Sequence, residues 1–381
     1  MKIRSYIVGI ISLVCMLGSC AKIEQGDWHA EDMQICYDVI QDRSSQTKAA
    51  GVYPTGENFA SYAWYLPDGK EWTDDKADAE LYISEAEISY DNANNSWHDL
   101  TTSYYWPKAG ALTFFSISPA SMANAVSLTK DYGFWISDWN VHDHQDVDIM
   151  VADIQTDKNA NETVGSFTGV PTIFRHKLAM IEGFTFNTFK QYAPGYKNYG
   201  SYQKDDRRFF IQSVAIKNIR QQGRFVSGSA PGAMNIGLWQ VSDGSAANNY
   251  IWFSGNEEVV YGMTSESIPA NYLGGNSNVL VLPQTFADLG DVDLSAEPHA
   301  STVPYIEIQY VTWTYSNNND YYTTHTTTAR APLYEVLKGV GNRMDMNKKF
   351  TFNITINLDS NLIIWAPDQN EWTGNDFNIS I

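Results

Sequence analysis

Lys349-Phe350-Thr351-Phe352-Asn353-Ile354-Thr355-Ile356-Asn357 is the stretch that decides the fold. Successive side chains of an extended chain point to opposite faces. Phe350, Phe352, Ile354 and Ile356 therefore share one side, and Thr351, Asn353, Thr355 and Asn357 the other. A sheet with one dry face and one wet face requires that pattern.

Working outward, the same alternation recurs between punctuating Gly, Pro, Asn and Asp residues. It predicts strands over 60–66, 86–90, 112–118, 149–152, 177–187, 209–219, 250–253, 279–282 and 306–315. Nearest the N-terminus, Met33, Ile35, Tyr37 and Val39 alternate with Gln34, Cys36 and Asp38, which predicts a first strand over 33–40. The polar run 41–48 that follows reads as a loop. Amphipathic helices are scarce, and 332–337 reads as a helical turn or another short strand. Many short strands separated by turns predict an all-β chain of β-sandwich architecture. The least patterned interior stretch is 191–206, and a domain boundary is expected there. It divides the chain into an N-terminal domain over 28–190 and a C-terminal domain over 191–381.

Residues 1–27 follow a different rule. Lys2 and Arg4 precede a mostly apolar run over 6–16, too short for a permanent membrane span, and Leu17-Gly18-Ser19-Cys20 closes it. This resembles a bacterial lipobox. It predicts a lipoprotein signal peptide over 1–19, lipid on Cys20, and a short tether over 20–27. No later apolar run approaches spanning length.

The chain carries 44 acids against 25 bases, a formal net charge of −19. Residues 1–19 hold Lys2 and Arg4 and no acid, so removing them brings the whole-chain −19 to about −21. Such a field repels nucleic acid and anionic lipid surfaces. Taking 19 from 381 leaves 362 residues, enough for two cores. Of three cysteines, Cys15 leaves with the leader and Cys20 takes lipid, so Cys36 is expected to stand alone as a small buried hydrophobe. Aromatic content of 14%, with 12 Trp and 23 Tyr, suits an exported β protein.

Motifs for chemistry are missing. The sequence has no phosphate-cradling glycine loop, no Gly-x-Ser-x-Gly elbow and no His-Glu-x-x-His pair. His142-Asp143-His144-Gln145-Asp146-Val147-Asp148 has metal-ligand residue types but no fixed-spacing motif, and reads most simply as a solvated loop. Nothing selects one carboxylate pair for glycoside hydrolysis. Trp106, Trp313 and Trp365 lie in strand patterns and are expected in the core. Arg207-Arg208 reads as a solvated turn. No cofactor, no metal and no enzymatic activity are expected.

Several segments together are similar to the fimbrillin-like (Mfa-like) family of type V pilus subunits. They are Tyr105-Trp106-Pro107 with Gly110-Ala111-Leu112-Thr113-Phe114-Phe115; Asp148-Ile149-Met150-Val151-Ala152; Phe174-Arg175-His176-Lys177-Leu178-Ala179; Leu280-Val281-Leu282-Pro283-Gln284-Thr285; and 348–356 with the trailing Trp372. Their shared order over most of the chain carries the resemblance. One departure is 342–347, Asn-Arg-Met-Asp-Met-Asn, where a glycine-containing turn is expected.

The resemblance implies two tandem transthyretin-like β-sandwich domains. It also implies export as an outer-membrane lipoprotein and assembly at the cell surface into a pilus, with other pilus subunits as partners. It implies trypsin-like cleavage after Arg43 or Lys48, which would release the first strand. A donor strand from a neighbouring subunit would then enter the vacated groove, and Phe377, Ile379 and Ile381 are the candidate donor residues. Adhesion to a host or bacterial surface ligand is a further expectation. The residues also suit an alternative, a surface lipoprotein that binds glycan or peptide without polymerising.

Overall fold

The computed structural model describes residues 33–41, 53–160, 169–188, 207–230, 237–242, 247–259, 271–272, 278–316, 322–357 and 362–372. Among them the chain is all-β, and its α-helices are single turns at Trp72–Asp75, His299–Thr302 and Leu333–Val336. None of the helices described is long and apolar enough to cross a membrane.

The alternation quoted at the outset lies in the strand Lys348–Asn357, where Phe350, Phe352, Ile354 and Ile356 are buried and the residues between them are half-buried. That strand runs parallel to Ala179–Thr188 and antiparallel to Leu362–Glu371. Phe184 sits opposite Phe352, their rings stacked 5.0 Å apart. On the wet face Thr185 donates to the Asn353 amide oxygen at 2.5 Å. A second sheet, ordered Ala247–Glu258, Arg207–Arg220, Tyr305–Tyr315, Tyr322–Pro332, packs its dry face against the first. Phe209, Ile211, Val214, Ile306, Ile308 and Tyr310 meet Phe184, Phe186 and Ile354 in one core.

The N-terminal sheet is ordered Phe59–Leu66, Glu80–Asp91, Ser96–Asp99, Tyr37–Gln41, Val170–His176, Met150–Ala152, Ala111–Ser118, Gln155–Lys158. Ala111–Ser118 also pairs with Phe59–Leu66 over 60–66, so the sheet closes on itself. Closure pairs Phe59–Leu66 on both sides and leaves only the short Gln155–Lys158 at the end of the order. Inside lie Tyr37, Phe59, Ile83, Trp97, Phe114 and Phe174.

Phe59–Leu66 and Ala111–Ser118 are buried on both faces, which is why 112–117 reads as a nearly continuous apolar run. Their outer faces are covered by a four-stranded sheet of Ser127–Thr129, Gly133–Asn140, Gln222–Val226 and Leu238–Val241. Tyr62, Phe115 and Ile117 pack there with Phe134, Trp139, Phe225 and Trp239. This sheet takes strands from both sides of residue 190, and Ala179–Thr188 itself pairs with 348–357. Local periodicity marks strands but not their partners, so these cross-links had no sequence signal.

Other expectations differ in detail. Cys36 is buried as expected, but it does not stand alone: it is disulfide-bonded. Arg207-Arg208 is not a turn but begins the strand Arg207–Arg220, because Arg208 forms a two-pronged pair with Glu258 (2.7 and 2.5 Å) and lies over the rings of Phe210 and Trp313. Trp106 is buried, whereas Trp313 and Trp365 are only half-buried. At 342–347 the chain turns without glycine, since Asn342 and Asn347 take left-handed φ values of 57° and 61°. Asparagine tolerates that region better than other non-glycine residues.

Phe352→Ala is expected to cost about 3–5 kcal/mol, since it empties the contact with Phe184 in a close-packed core. Equilibrium denaturant unfolding measures it.

Candidate functional site

The first strand, Tyr37–Gln41, is seated inside the N-terminal sheet. It runs parallel to Val170–His176, with Tyr37 opposite Val170 and Gln41 opposite Phe174. On its other side Tyr37 meets Trp97 antiparallel. The expected strand over 33–40 is thus shorter and shifted. Its first residues instead run beside 104–106, through a Gln34–Tyr105 bridge and the bonds Ile35 N–H to Tyr104 O (2.7 Å) and Trp106 N–H to Met33 O (3.0 Å).

Alternate side chains enter the core. Ile35 and Tyr37 are buried, and Met33 and Val39 pack partly buried against the same cluster. The Tyr37 ring meets Phe59 and Phe114 edge-on, at 5.6 and 6.0 Å. Burial pushes the Tyr37 phenol well above its ordinary pKa, so the group remains neutral. Asp38, between them, is exposed.

Gly169 makes the close approach possible. A Cβ there would stand 2.6 Å from the Tyr37 carbonyl carbon and 2.7 Å from the Cys36 oxygen. The Val170 N–H donates to that same Cys36 oxygen at 2.7 Å. Sequence reading missed Val170–His176 as a strand. Its inward residues, Val170, Thr172, Phe174 and His176, mix polar with apolar, which hides the alternation.

The far end of that partner strand carries the anchor of the C-terminal segment. His176 is buried, its Nδ1 lies 2.6 Å from an Asp148 carboxylate oxygen, and its ring stacks on Trp372 at 3.8 Å. Trp372 is fully buried, and its backbone N–H donates to the Asn347 backbone oxygen at 3.0 Å. Nearby, burial first and the Asp148 charge second hold the Glu57 carboxyl above its ordinary pKa.

Cys20, Arg43, Lys48, Phe377, Ile379 and Ile381 all lie outside the described residues. His142 and His144 do not converge: His142 tilts against Tyr250 and His144 stacks on Trp139. Among the described residues no group of three or more His, Cys, Asp or Glu is placed to hold a metal ion. A cleft of about 930 Å3 is lined by Trp239, Phe286, Tyr334 and Met344, and by none of residues 33–41. Its carboxylates, Asp345 and Glu371, are ion-paired with Arg343 and Lys348.

A family model described as fimbrillin-like matches residues 55–372. No curated protein matches the chain. Among solved structures, a fimbrial protein of Bacteroides vulgatus is 15% identical, with a TM-score of 0.57 over 89% of this chain and 99% of that one. A candidate cell adhesion protein of Parabacteroides distasonis is 10% identical (TM-score 0.46, 89% and 100% covered). The tip fimbrial protein Mfa3 of Porphyromonas gingivalis, with C-terminal truncation, is 11% identical (TM-score 0.34, 83% and 94% covered). The first of these likenesses supports the all-β fold.

Two variants probe the site. Gly169→Ala is expected to unseat the first strand, raising amide hydrogen exchange at 37–41 and lowering stability by about 1–3 kcal/mol. Glu57→Gln is expected to raise the thermal midpoint at pH 7 and leave it unchanged at pH 3. The folded-state pKa is raised, so the penalty of ionising this carboxyl sets in as pH rises through the ordinary carboxyl pKa and is complete above the folded-state one.

Proposed function

The chain belongs to the fimbrillin-like family, and from that membership we infer that it is a subunit of a cell-surface fimbria, structural or adhesive rather than enzymatic. Lipid on Cys20 would carry it to the outer membrane. Cleavage after Arg43 or Lys48 would then release residues up to the cut, the first strand included. Assembly would proceed by strand exchange with other pilus subunits.

The observation that carries this reading is the seat of the first strand. Its removal would uncover the pairing edge of Val170–Phe174 on one side and of Trp97 on the other. It would also empty the positions of Ile35 and Tyr37, each worth about 1.5–3 kcal/mol when buried. An incoming strand must therefore supply main-chain partners and alternate apolar side chains. Phe377, Ile379 and Ile381 have the same two-residue spacing as Ile35, Tyr37 and Val39.

Limited trypsin treatment of the chain from Ala21 onward tests it. The treated protein is expected to polymerise, read by size-exclusion chromatography and electron microscopy. Arg43→Gln with Lys48→Gln, or truncation after Trp372, is expected to block polymerisation. Polymers that form equally without cleavage, or a cleaved chain that never assembles, would overturn the proposal.

A further inference from the structure

The outer strand of the C-terminal sandwich, Tyr322–Pro332, pairs in unbroken register with Tyr305–Tyr315 and with no other strand among the described residues. Its far edge therefore presents a row of backbone N–H and C=O groups. Such edges are ordinarily protected by charge, proline, bulges or brevity, because an unguarded one is a template for another strand.

The other open edges described here are protected. Leu362–Glu371 carries Pro367, Asp368 and Glu371. Ala247–Glu258 pairs with three register breaks and ends in two glutamates. Leu238–Val241, Ser127–Thr129 and Gln155–Lys158 are four residues or fewer. By contrast, residues 322–329 read Tyr-Thr-Thr-His-Thr-Thr-Thr-Ala, with no acid, Lys, Arg, Pro or Gly, and all but Thr327 and Ala329 are exposed. The strand's one Arg, Arg330, is held by Glu307 of its own sheet at 2.7 Å.

We propose that this edge docks the same strand of a second copy of the chain, antiparallel about a twofold axis, so that the sheet continues from one copy into the next. Charge selects this occupant. A chain with net charge −19 repels its own copies over most of its surface. The run 322–329 is where that repulsion is locally absent, and self-pairing there sets no like charges opposite one another. Threonine opposite threonine is a favourable cross-strand pair, and a β-branched run set against itself is self-complementary. The edge lies on a different sheet from the first strand, so this association does not depend on strand exchange.

The test is sedimentation of the uncleaved chain from Ala21 onward, with hydrogen exchange at 323–328. A reversible dimer is expected, populated more as salt rises from about 0.05 to 0.5 M and screens the net charge. Protection of the 323–328 amides should rise with protein concentration. The exposed double substitution Thr324→Lys with Thr326→Lys is expected to weaken the dimer by about tenfold or more, since it sets like charges across the edge. Thr324→Val with Thr326→Val should retain it, and so should truncation after Trp372. A chain that stays monomeric at both salts, or a dimer indifferent to the lysines, overturns the proposal. So does protection of 323–328 that arises only on adding a peptide of sequence 373–381, which would make the C-terminal segment the occupant.

Discussion

A buried strand must find hydrogen-bond partners for its backbone on both sides, and the N-terminal sheet meets that demand through a segment only a few residues long. Tyr37–Gln41 supplies the pairing that Val170–Phe174 requires on one side. Around it the sheet closes, because Ala111–Ser118 reaches back to Phe59–Leu66. Ile35 and Tyr37 fill a core of aromatic rings that meet edge-on at 5.1 to 6.0 Å. Such a core transmits the loss of one strand to its neighbours, since close-packed interiors do not collapse freely around a void.

The partner strand links that seat to the rest of the molecule. Its beginning holds Tyr37–Gln41, and its end places His176 beneath Trp372, from which the C-terminal residues depart. Two residues further on, Leu178 to Ile181 pass between cores: Leu178 and Met180 face the middle cluster, while Ala179 and Ile181 face the C-terminal one. The two halves are tied through shared strands, not merely laid side by side. The four-stranded sheet of 127–140 and 222–241 makes the same connection on the other face of the middle core.

How much of this was legible follows from what each residue had to do. Phe350 to Ile356 showed its strand because every inward position is apolar and every outward one polar. Val170–His176 did not, since Thr172 and His176 point inward and keep partners there. Tyr322–Pro332 was hidden for the opposite reason: an outer strand of threonines has no apolar face to read. Arg208 looked solvated, but an ion pair with Glu258 and the rings of Phe210 and Trp313 accommodate it in a strand. For the site, the alternation of Ile35, Tyr37 and Val39 was visible, whereas Gly169 and Trp97, which shape the seat, carry no local signal.

The amino-acid sequence by itself determined the all-β character, the acidic charge and the positions of the strands with a clear apolar face. These follow from side-chain alternation and composition, which are properties of neighbours along the chain. Only the tertiary structure decided which strands pair, that the N-terminal sheet closes, that the first strand lies between Val170–His176 and Trp97, and that one long threonine edge has no partner among the described residues. Pairing is settled between residues more than a hundred positions apart, as Tyr37 is from Val170. Contacts over such separations depend on the whole packed arrangement, so no short window of sequence contains them.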